Sequence, residues 1–253
     1  MSRHLQKWHG AGNDFLVDVQ DGAGFTWTSA LAAAVCNRTH GVGADGLLVA
    51  TVGDPLQMVL FNADGSFAEM SGNGIRCLVA AVRRATKGEW SELPVETAAG
   101  IRLVHLEMDG DVGMGSVAMG EVKLLEALPG TLGVANVGNP HVVLLDDMSA
   151  TMAERQEKAI ELSDAVGGAN VEFVTIKNAA ELSILVYERG AGWTQACGTG
   201  SCATAAVVHA AGLAGSSVTV HNPGGPLRVT LDDAQATLTG PVVFVADVEW
   251  HGA

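Results

Sequence analysis

The sequence predicts an α/β (α+β) protein of two pseudo-symmetric domains, each a curled, mainly antiparallel sheet wrapped around a central helix. Three observations carry this expectation. Short β-branched and apolar runs alternate with Gly-rich turns, with 32 glycines in all, the pattern of many strands joined tightly. Helix signals are few. Two of them open alike, at Ser71-Gly72-Asn73-Gly74 and Cys197-Gly198-Thr199-Gly200, 126 residues apart in a chain of 253, and self-similarity at half the chain length marks an internal repeat.

Strands are expected over Gly46 to Val52, Leu56 to Asn62, Ile101 to Met108, His141 to Leu145, Val171 to Ile176, Leu182 to Tyr187, Ser217 to His221, Leu227 to Leu231 and Val242 to Val248. Each has alternating or continuous apolar character. A first helix is expected over Ser29 to Cys36, opened by Thr28 or Ser29, and another over Ala150 to Leu162, with Ser149 as its cap. A third runs from Gly72 to Thr86, where Arg83, Arg84 and Lys87 complement the C-terminal dipole and Gly88 ends the helix. The fourth, Gly198 to Ala211, is apolar nearly all round, and a helix without a polar face is buried. The upstream context repeats as well, since Asn62 and Glu188 each close an apolar run nine residues before Ser71 and Cys197. The domains are placed at residues 1–107 plus 241–253 and at 108–240, with the last strand returning to the first half.

The chain is 48% apolar and carries 14 Lys+Arg against 28 Asp+Glu, a net charge of −14. That balance argues against nucleic acid or an anionic membrane surface as partner, because the phosphate-neutralising surface is missing; a small zwitterionic or cationic ligand fits. The N-terminal residues lack an apolar signal region, and no stretch approaches the roughly 18 uncharged residues of a spanning helix, so a cytoplasmic location is expected. Four cysteines are too few and too irregular for a disulfide framework, and no second pair of ligands stands near Cys197 and Cys202 to make a metal site. Cys36, Cys77 and Cys202 fall inside apolar helical stretches and read as buried bystanders. His209 reads as core, and Asp146-Asp147 as surface.

Ser71 and Cys197 stand just before the first helical turns of the repeated helices. Unpaired N–H donors and the positive end of the dipole stabilise a thiolate or a bound carboxylate there, drawing a cysteine pKa toward neutrality. Gly72, Gly74, Gly198 and Gly200 would let a ligand approach the backbone closely. If the halves face each other, both N-termini converge on one substrate carboxylate, acidifying its α-carbon proton.

An ordered set of motifs then resembles diaminopimelate epimerase over nearly the whole chain. These are Lys7-Trp8-His9-Gly10-Ala11-Gly12-Asn13-Asp14-Phe15, Gly43-Ala44-Asp45-Gly46, Asn62-Ala63-Asp64-Gly65-Ser66, Gly72-Asn73-Gly74-Ile75-Arg76-Cys77, Gly138-Asn139-Pro140-His141, Asn170-Val171, Glu188-Arg189-Gly190 and Ala196-Cys197-Gly198-Thr199-Gly200. The resemblance implies a cofactor-independent isomerase of lysine and cell-wall biosynthesis. Such an enzyme converts LL-diaminopimelate to the meso form by two-base proton transfer without pyridoxal phosphate, in a fold of two similar domains, with a homodimer fitting the family. Carried over by position, Asn13, Asn62, Asn139, Asn170, Glu188 and Arg189 would hold the substrate. The backbones at Gly72-Asn73 and Gly198-Thr199 would bind the reacting carboxylate, and His141 and Glu188 would tune the catalytic pair. Read singly, Asn62 and Asn139 also suit turns, His141 suits a strand edge, and Glu188-Arg189 suits an exposed ion pair.

The family places a cysteine at both helix entrances, whereas this chain reads Met70-Ser71-Gly72-Asn73-Gly74. A hydroxyl is a far weaker acid than a thiol, whose reference pKa is about 8.5. Three explanations compete: a serine introduced to trap a complex or block a disulfide, a natural variant with weak epimerase activity, or a changed reaction. In the proline racemase relatives, a hydroxyl residue in place of one thiol accompanies dehydration of hydroxylated amino acids. The favoured expectation is a diaminopimelate epimerase scaffold with impaired two-base chemistry, Cys197 being the competent acid/base. The alternatives are a one-face lyase and an amino-acid-binding homologue without turnover. Some family members also carry a substrate-contacting glutamine where Gly46 stands.

Overall fold

Leu56, Met58 and Leu60 are buried on a strand whose Gln57 and Val59 are exposed, and Leu227, Val229 and Leu231 alternate in the same way with Arg228, Thr230 and Asp232. Successive side chains of a strand point to opposite faces, so each such strand lays one apolar row on a core. The computed structural model describes residues 2–22 and 26–252, and the chain divides into two units, Met1–Val117 with Gly240–Ala253, and Ala118–Thr239.

In chain order the first unit contains β1 (Arg3–Gly10), β2 (Asn13–Gln20), α1 (Ser29–Cys36), β3 (Gly46–Thr51), β4 (Leu56–Asn62), β5 (Phe67–Ala68), α2 (Gly72–Thr86), β6 (Glu92–Thr97), β7 (Gly100–Asp109) and most of β8 (Val112–Glu121). The second contains β9 (Lys123–Leu125), β10 (Gly133–Asn136), β11 (Pro140–Leu145), α3 (Met152–Ala165), β12 (Asn170–Asn178), β13 (Glu181–Glu188), β14 (Gly192–Thr194), α4 (Gly198–Ala210), β15 (Ser217–Asn222) and β16 (Gly225–Asp232). The last strand, β17 (Gln235–Trp250), pairs with β16 through Thr239 and with β1 from Val243 onward.

The pairing pattern is duplicated. In the first unit β1–β2 is antiparallel, β2–β3 parallel, β3–β4 and β4–β5 antiparallel, β4–β6 parallel, and β6–β7 antiparallel. In the second unit β10–β11, β11–β12, β12–β13, β13–β14, β13–β15 and β15–β16 follow the same series. Each parallel pair is joined through a helix, as parallel connections require. Residues Gly72 to Val82 of α2 are all buried, and α4 is buried from Gly200 to Val208.

The expected strands are all present, with ends shifted by a residue or two, except that the last one begins at Gln235. The structure adds β1, β2, β5, β6, β8, β9, β10 and β14. Helix α3 starts later than expected and is capped by Thr151, not Ser149: Thr151 accepts the Glu154 N–H while Glu154 accepts the Thr151 N–H at 2.7 Å, a complete capping box. Ser149 instead turns onto Asp147, its hydroxyl 2.6 Å from Oδ1. The left-handed residue closing α2 is Lys87 at φ 54°, whose N–H reaches Arg83 O, while a Cβ on Gly88 would collide with the Trp90 ring. His209 is exposed in the last turn of α4 and bonds to Ala214 O, because the buried face ends at Val208. Asp146 is not a surface charge: its side chain is 5% exposed and ion-paired to Arg155 at 2.6 Å. Among the described residues no helix is long and apolar enough to cross a membrane.

The capping box makes a direct prediction for urea unfolding. Thr151→Ala lowers stability by about 1 kcal/mol, and Ser149→Ala changes it by less than about 0.5 kcal/mol; equal losses would show that the helix is capped elsewhere.

Candidate active site

Each buried helix needs partners for its first N–H groups. In the second unit that partner is Cys197, the N-cap of α4 in extended conformation, whose Sγ accepts the Gly200 N–H at 3.3 Å and lies 3.4 Å from Thr199 Oγ1. Glu188, the last residue of β13, is half-buried and accepts the Thr194 hydroxyl at 2.5 Å and a hydrogen bond from the Cys197 thiol. His141 on β11 is fully buried between two oxygens, Glu172 Oε1 at 2.6 Å from Nδ1 and Asn139 Oδ1 at 3.0 Å from Nε2. The parallel register sets His141 beside Asn170, whose Oδ1 accepts the Arg189 N–H at 3.0 Å. Arg189 itself is exposed and donates to Gly168 O. Glu188, His141, Asn139, Asn170, Arg189, Gly198 and Thr199 are thus placed within one unit, on the strands and turns leading to the same helix entrance.

The electrostatics differ from the sequence expectation. Burial pushes the Cys197 thiol well above its ordinary value, the carboxylates of Glu188 and Glu172 push it further, and the Thr199 hydroxyl and Gly200 N–H oppose them without prevailing. The helix entrance does not by itself make a thiolate. Burial also raises Glu188, as does Glu172, against the lowering by Thr194, His141 and the Cys197 thiol. Cys36 and Cys77 are pushed up to about 12, chiefly by burial.

The first unit repeats the geometry with other chemistry. Ser71 is the N-cap of α2, its Oγ accepting the Gly74 N–H at 3.0 Å. Asn73 is buried and donates to Asn13 Oδ1 at 3.4 Å, and Asn13 donates to Asp45 Oδ2 at 2.8 Å. Asn62, at the end of β4, donates to Ser66 Oγ. Arg76, fully buried, donates to Gly72 O at 2.7 Å and to Asn73 Oδ1 at 2.8 Å. Asp14 binds Lys7 at 2.9 Å and Arg38 at 2.6 Å; burial alone would raise its carboxyl, but those two cations hold it below the ordinary value.

At the 126-residue spacing Asn13 corresponds to Asn139, Ser71 to Cys197, Phe15 to His141 and Asn62 to Glu188. The titratable groups of one unit are replaced in the other by an aromatic ring and a neutral amide. Gly74 and Gly200 are required by the protein's own packing: a Cβ on Gly74 would come within 3.2 Å of Ser71 Oγ and 3.3 Å of Phe15, and one on Gly200 within 2.5 Å of Glu172 Oε1. Glu172 was missed by sequence reading, although a carboxylate in the otherwise apolar Val171-Glu172-Phe173-Val174 was a visible signal. Arg76, a cation inside an apolar helix, carried the same kind of signal.

The family model for diaminopimelate epimerase matches residues 5–125 and 133–245. Curated diaminopimelate epimerases from Synechococcus elongatus (35% identical, 97% of both chains covered) and Desulfitobacterium hafniense (37%, 95% of both) are similar over their whole length. So is that of Rhizorhabdus wittichii (37%, 98% of this chain and 96% of the other). Among solved structures, a phenazine biosynthesis protein of the PhzF family from Bacillus anthracis shares the fold at TM-score 0.75 and 16% identity, covering 98% of this chain and 99% of that one. A hydroxyproline epimerase from Agrobacterium vitis does so at TM-score 0.73 and 16% identity, covering 98% and 90%.

The carboxylate beside the thiol gives a chemical test. Glu188→Gln removes a charge that raises Cys197, so iodoacetamide alkylation of Cys197 at pH 8, followed by peptide mass spectrometry, becomes roughly 3- to 10-fold faster; an unchanged rate would show that the carboxylate does not act on the thiol.

Proposed function

The chain belongs to the diaminopimelate epimerase family, and from that premise we propose that it acts on 2,6-diaminopimelate at the α-carbon, without pyridoxal phosphate, and with two-base inversion impaired by Ser71. The observation that carries this reading is the unequal surroundings of the two helix caps. Cys197 faces the carboxylates of Glu188 and Glu172, the latter bonded to His141; Ser71 has Phe15 and Asn62 at the positions that correspond to His141 and Glu188. A hydroxyl becomes a useful base or nucleophile only with an adjacent general base, and the residues that match His141 and Glu188 cannot supply one.

In this proposal Asn13, Asn62, Asn139, Asn170, Glu188 and Arg189 hold the substrate. The N–H groups at Gly72-Asn73 and Gly198-Thr199 bind the reacting carboxylate and stabilise the negative charge that spreads onto it as the α-carbon loses its proton. Cys197 rests as a neutral thiol because burial and two carboxylates disfavour its charge. Glu188, itself raised and hydrogen-bonded by the thiol, takes the thiol proton, and the thiolate then breaks the Cα–H bond and forms S–H. The thiol returns a proton to the same face. In D₂O the outcome is exchange with retention, whereas inversion needs an acid on the opposite face, where a hydroxyl is a poor donor. The same one-sided arrangement favours, as a second reading, a lyase acting on a β-hydroxylated amino acid, which would release a keto acid detectable by carbonyl trapping.

Proton NMR of LL- and meso-diaminopimelate in D₂O separates these readings. The chain as written exchanges an α-proton with little inversion, Ser71→Cys raises inversion by about 10² to 10⁴-fold, and Cys197→Ala abolishes exchange. Bound diaminopimelate with no inversion by Ser71→Cys would overturn the epimerase reading.

A further inference from the structure

Cys197 is held by more than its own cap. Asn222, the last residue of β15 and buried, accepts the Cys197 N–H on Oδ1 at 3.3 Å. Its amide group donates to Ser201 Oγ at 3.1 Å and to Val220 O at 3.2 Å. Ser201, fully buried, donates its hydroxyl to Cys197 O at 2.8 Å. The three residues close a ring in which every donor meets an acceptor: Cys197 N–H to Asn222, Asn222 to Ser201, Ser201 to Cys197 C=O. The orientation of the Asn222 amide is settled by its partners, since Val220 O can only accept and the Cys197 N–H can only donate.

The ring is particular to this helix entrance. At the 126-residue spacing Ser201 corresponds to Ile75, which has no hydroxyl, and the last residue of β6, Thr97, turns its hydroxyl to Gly100 O at 2.7 Å. Ser71 is therefore capped in the same way as Cys197 but is not clamped in the same way. A fold requirement alone would have placed the ring in both units, because the strand and helix order is the same in both.

We propose that Asn222 and Ser201 are positioning residues for the reaction: by fixing both backbone groups of Cys197 they hold Sγ in line with the Gly200 N–H and facing Glu188. This rests on the reading of Cys197 as the reactive group. Displacement of a reacting group by about 1 Å costs on the order of 10²-fold in rate, so a small, fully satisfied buried network at this point has large leverage. The titratable groups that face the thiol come from the other elements, Glu172 on β12 and Glu188 on β13, with His141 on β11 bonded to Glu172.

The test uses the full chain and two variants. Ser201→Ala removes one hydroxyl and leaves Asn222 bonded to Val220, so its folding is the safer; Asn222→Ala frees the Cys197 N–H and leaves the Ser201 hydroxyl on Cys197 O. The first readout, independent of any substrate, is the pH profile of Cys197 alkylation by iodoacetamide. Both variants move its midpoint upward by about one unit, equivalent to tenfold less thiolate at fixed pH, because the Gly200 N–H no longer points at Sγ. The second readout is α-proton exchange of diaminopimelate, where kcat falls about tenfold or more and KM stays within about twofold. Unchanged alkylation profiles in a folded Ser201→Ala and Asn222→Ala would overturn the positioning role. Shifted profiles with no exchange by the unmodified chain would keep it and sink the diaminopimelate reading instead. Loss that appears in KM alone would also overturn it, by assigning the ring to substrate binding.

Discussion

A helix buried on almost every side cannot pass its first N–H groups to water, and α2 and α4 are both of this kind. One side chain at each N-cap must satisfy what solvent cannot, and the rest of each unit is arranged around that need. The long strand before each helix, β4 or β13, ends nine residues upstream of the cap, at Asn62 and at Glu188, with only a short strand between. The third helical residue is glycine in both, because the cap side chain and a neighbour occupy the space a Cβ would take. The helix axis, the strands curled over it and the polar groups at its entrance follow from where that cap sits. The entrance is also the one place where a buried helix presents unpaired donors and positive dipole to a ligand, so the constraint that builds the fold and the chemistry that uses it coincide.

Around this shared frame the two units place their buried charges differently. The first carries Arg76 beneath the first turn of α2, donating to Gly72 and Asn73, and β8 yields space for it: a Cβ on Gly115 would lie 2.8 Å from the Arg76 side chain. The second carries the His141–Glu172 pair, with Gly200 yielding space for the carboxylate. Buried charges are costly unless partnered and hydrogen-bonded. Each costs the fold a glycine on a neighbouring element, in a strand where glycine is unfavourable or at the start of a helix. The cation lies at one helix entrance and is bonded to Gly72 O and Asn73 Oδ1; the His–Glu pair and Glu188 lie at the other, where both carboxylates raise the Cys197 thiol.

Much of this was legible before any coordinates. Ser71-Gly72-Asn73-Gly74 and Cys197-Gly198-Thr199-Gly200 announce both helix entrances, and the apolar run after Cys197 announces burial. What escaped has physical reasons. Strands β1 and β2 contain Gln6, Lys7, Asn13 and Asp14, whose polar groups are satisfied by long-range partners such as Ala81 O, Gly43 O and Arg38, so their apolar periodicity is diluted. Strand β8 contains Gly113, Gly115 and Gly120, which weaken any local preference; Gly113 and Gly115 make sense only against Met108 and Arg76, and Gly120 through its φ of +89°. Ser149 and Thr151 are equally good caps locally, and only Glu154 three residues after Thr151 decides between them. The thiol is the sharpest case. Sequence shows the helix dipole that lowers its pKa and, by resemblance, Glu188, but not the Glu172 carboxylate nor that burial of the thiol outweighs the dipole.

Serine is among the best N-caps, and cysteine is not, since sulfur is a weak acceptor. Ser71 Oγ receives its helix N–H at 3.0 Å and Cys197 Sγ receives its own at 3.3 Å, a difference that follows sulfur's larger radius. A cysteine at this position therefore gives up capping strength, and here its backbone N–H and C=O are also bonded by Asn222 and Ser201. Ser71 has no such ring, and the positions that match His141 and Glu188 hold Phe15 and Asn62. Read this way, the replacement of one thiol is not an isolated change in an otherwise symmetric protein. The residues around the two caps differ at the same positions, so a cysteine at 71 would stand without the counterparts of His141 and Glu188. Such an enzyme is expected to invert its substrate with the two thiols working unequally, each matched to the proton it handles by its own surroundings.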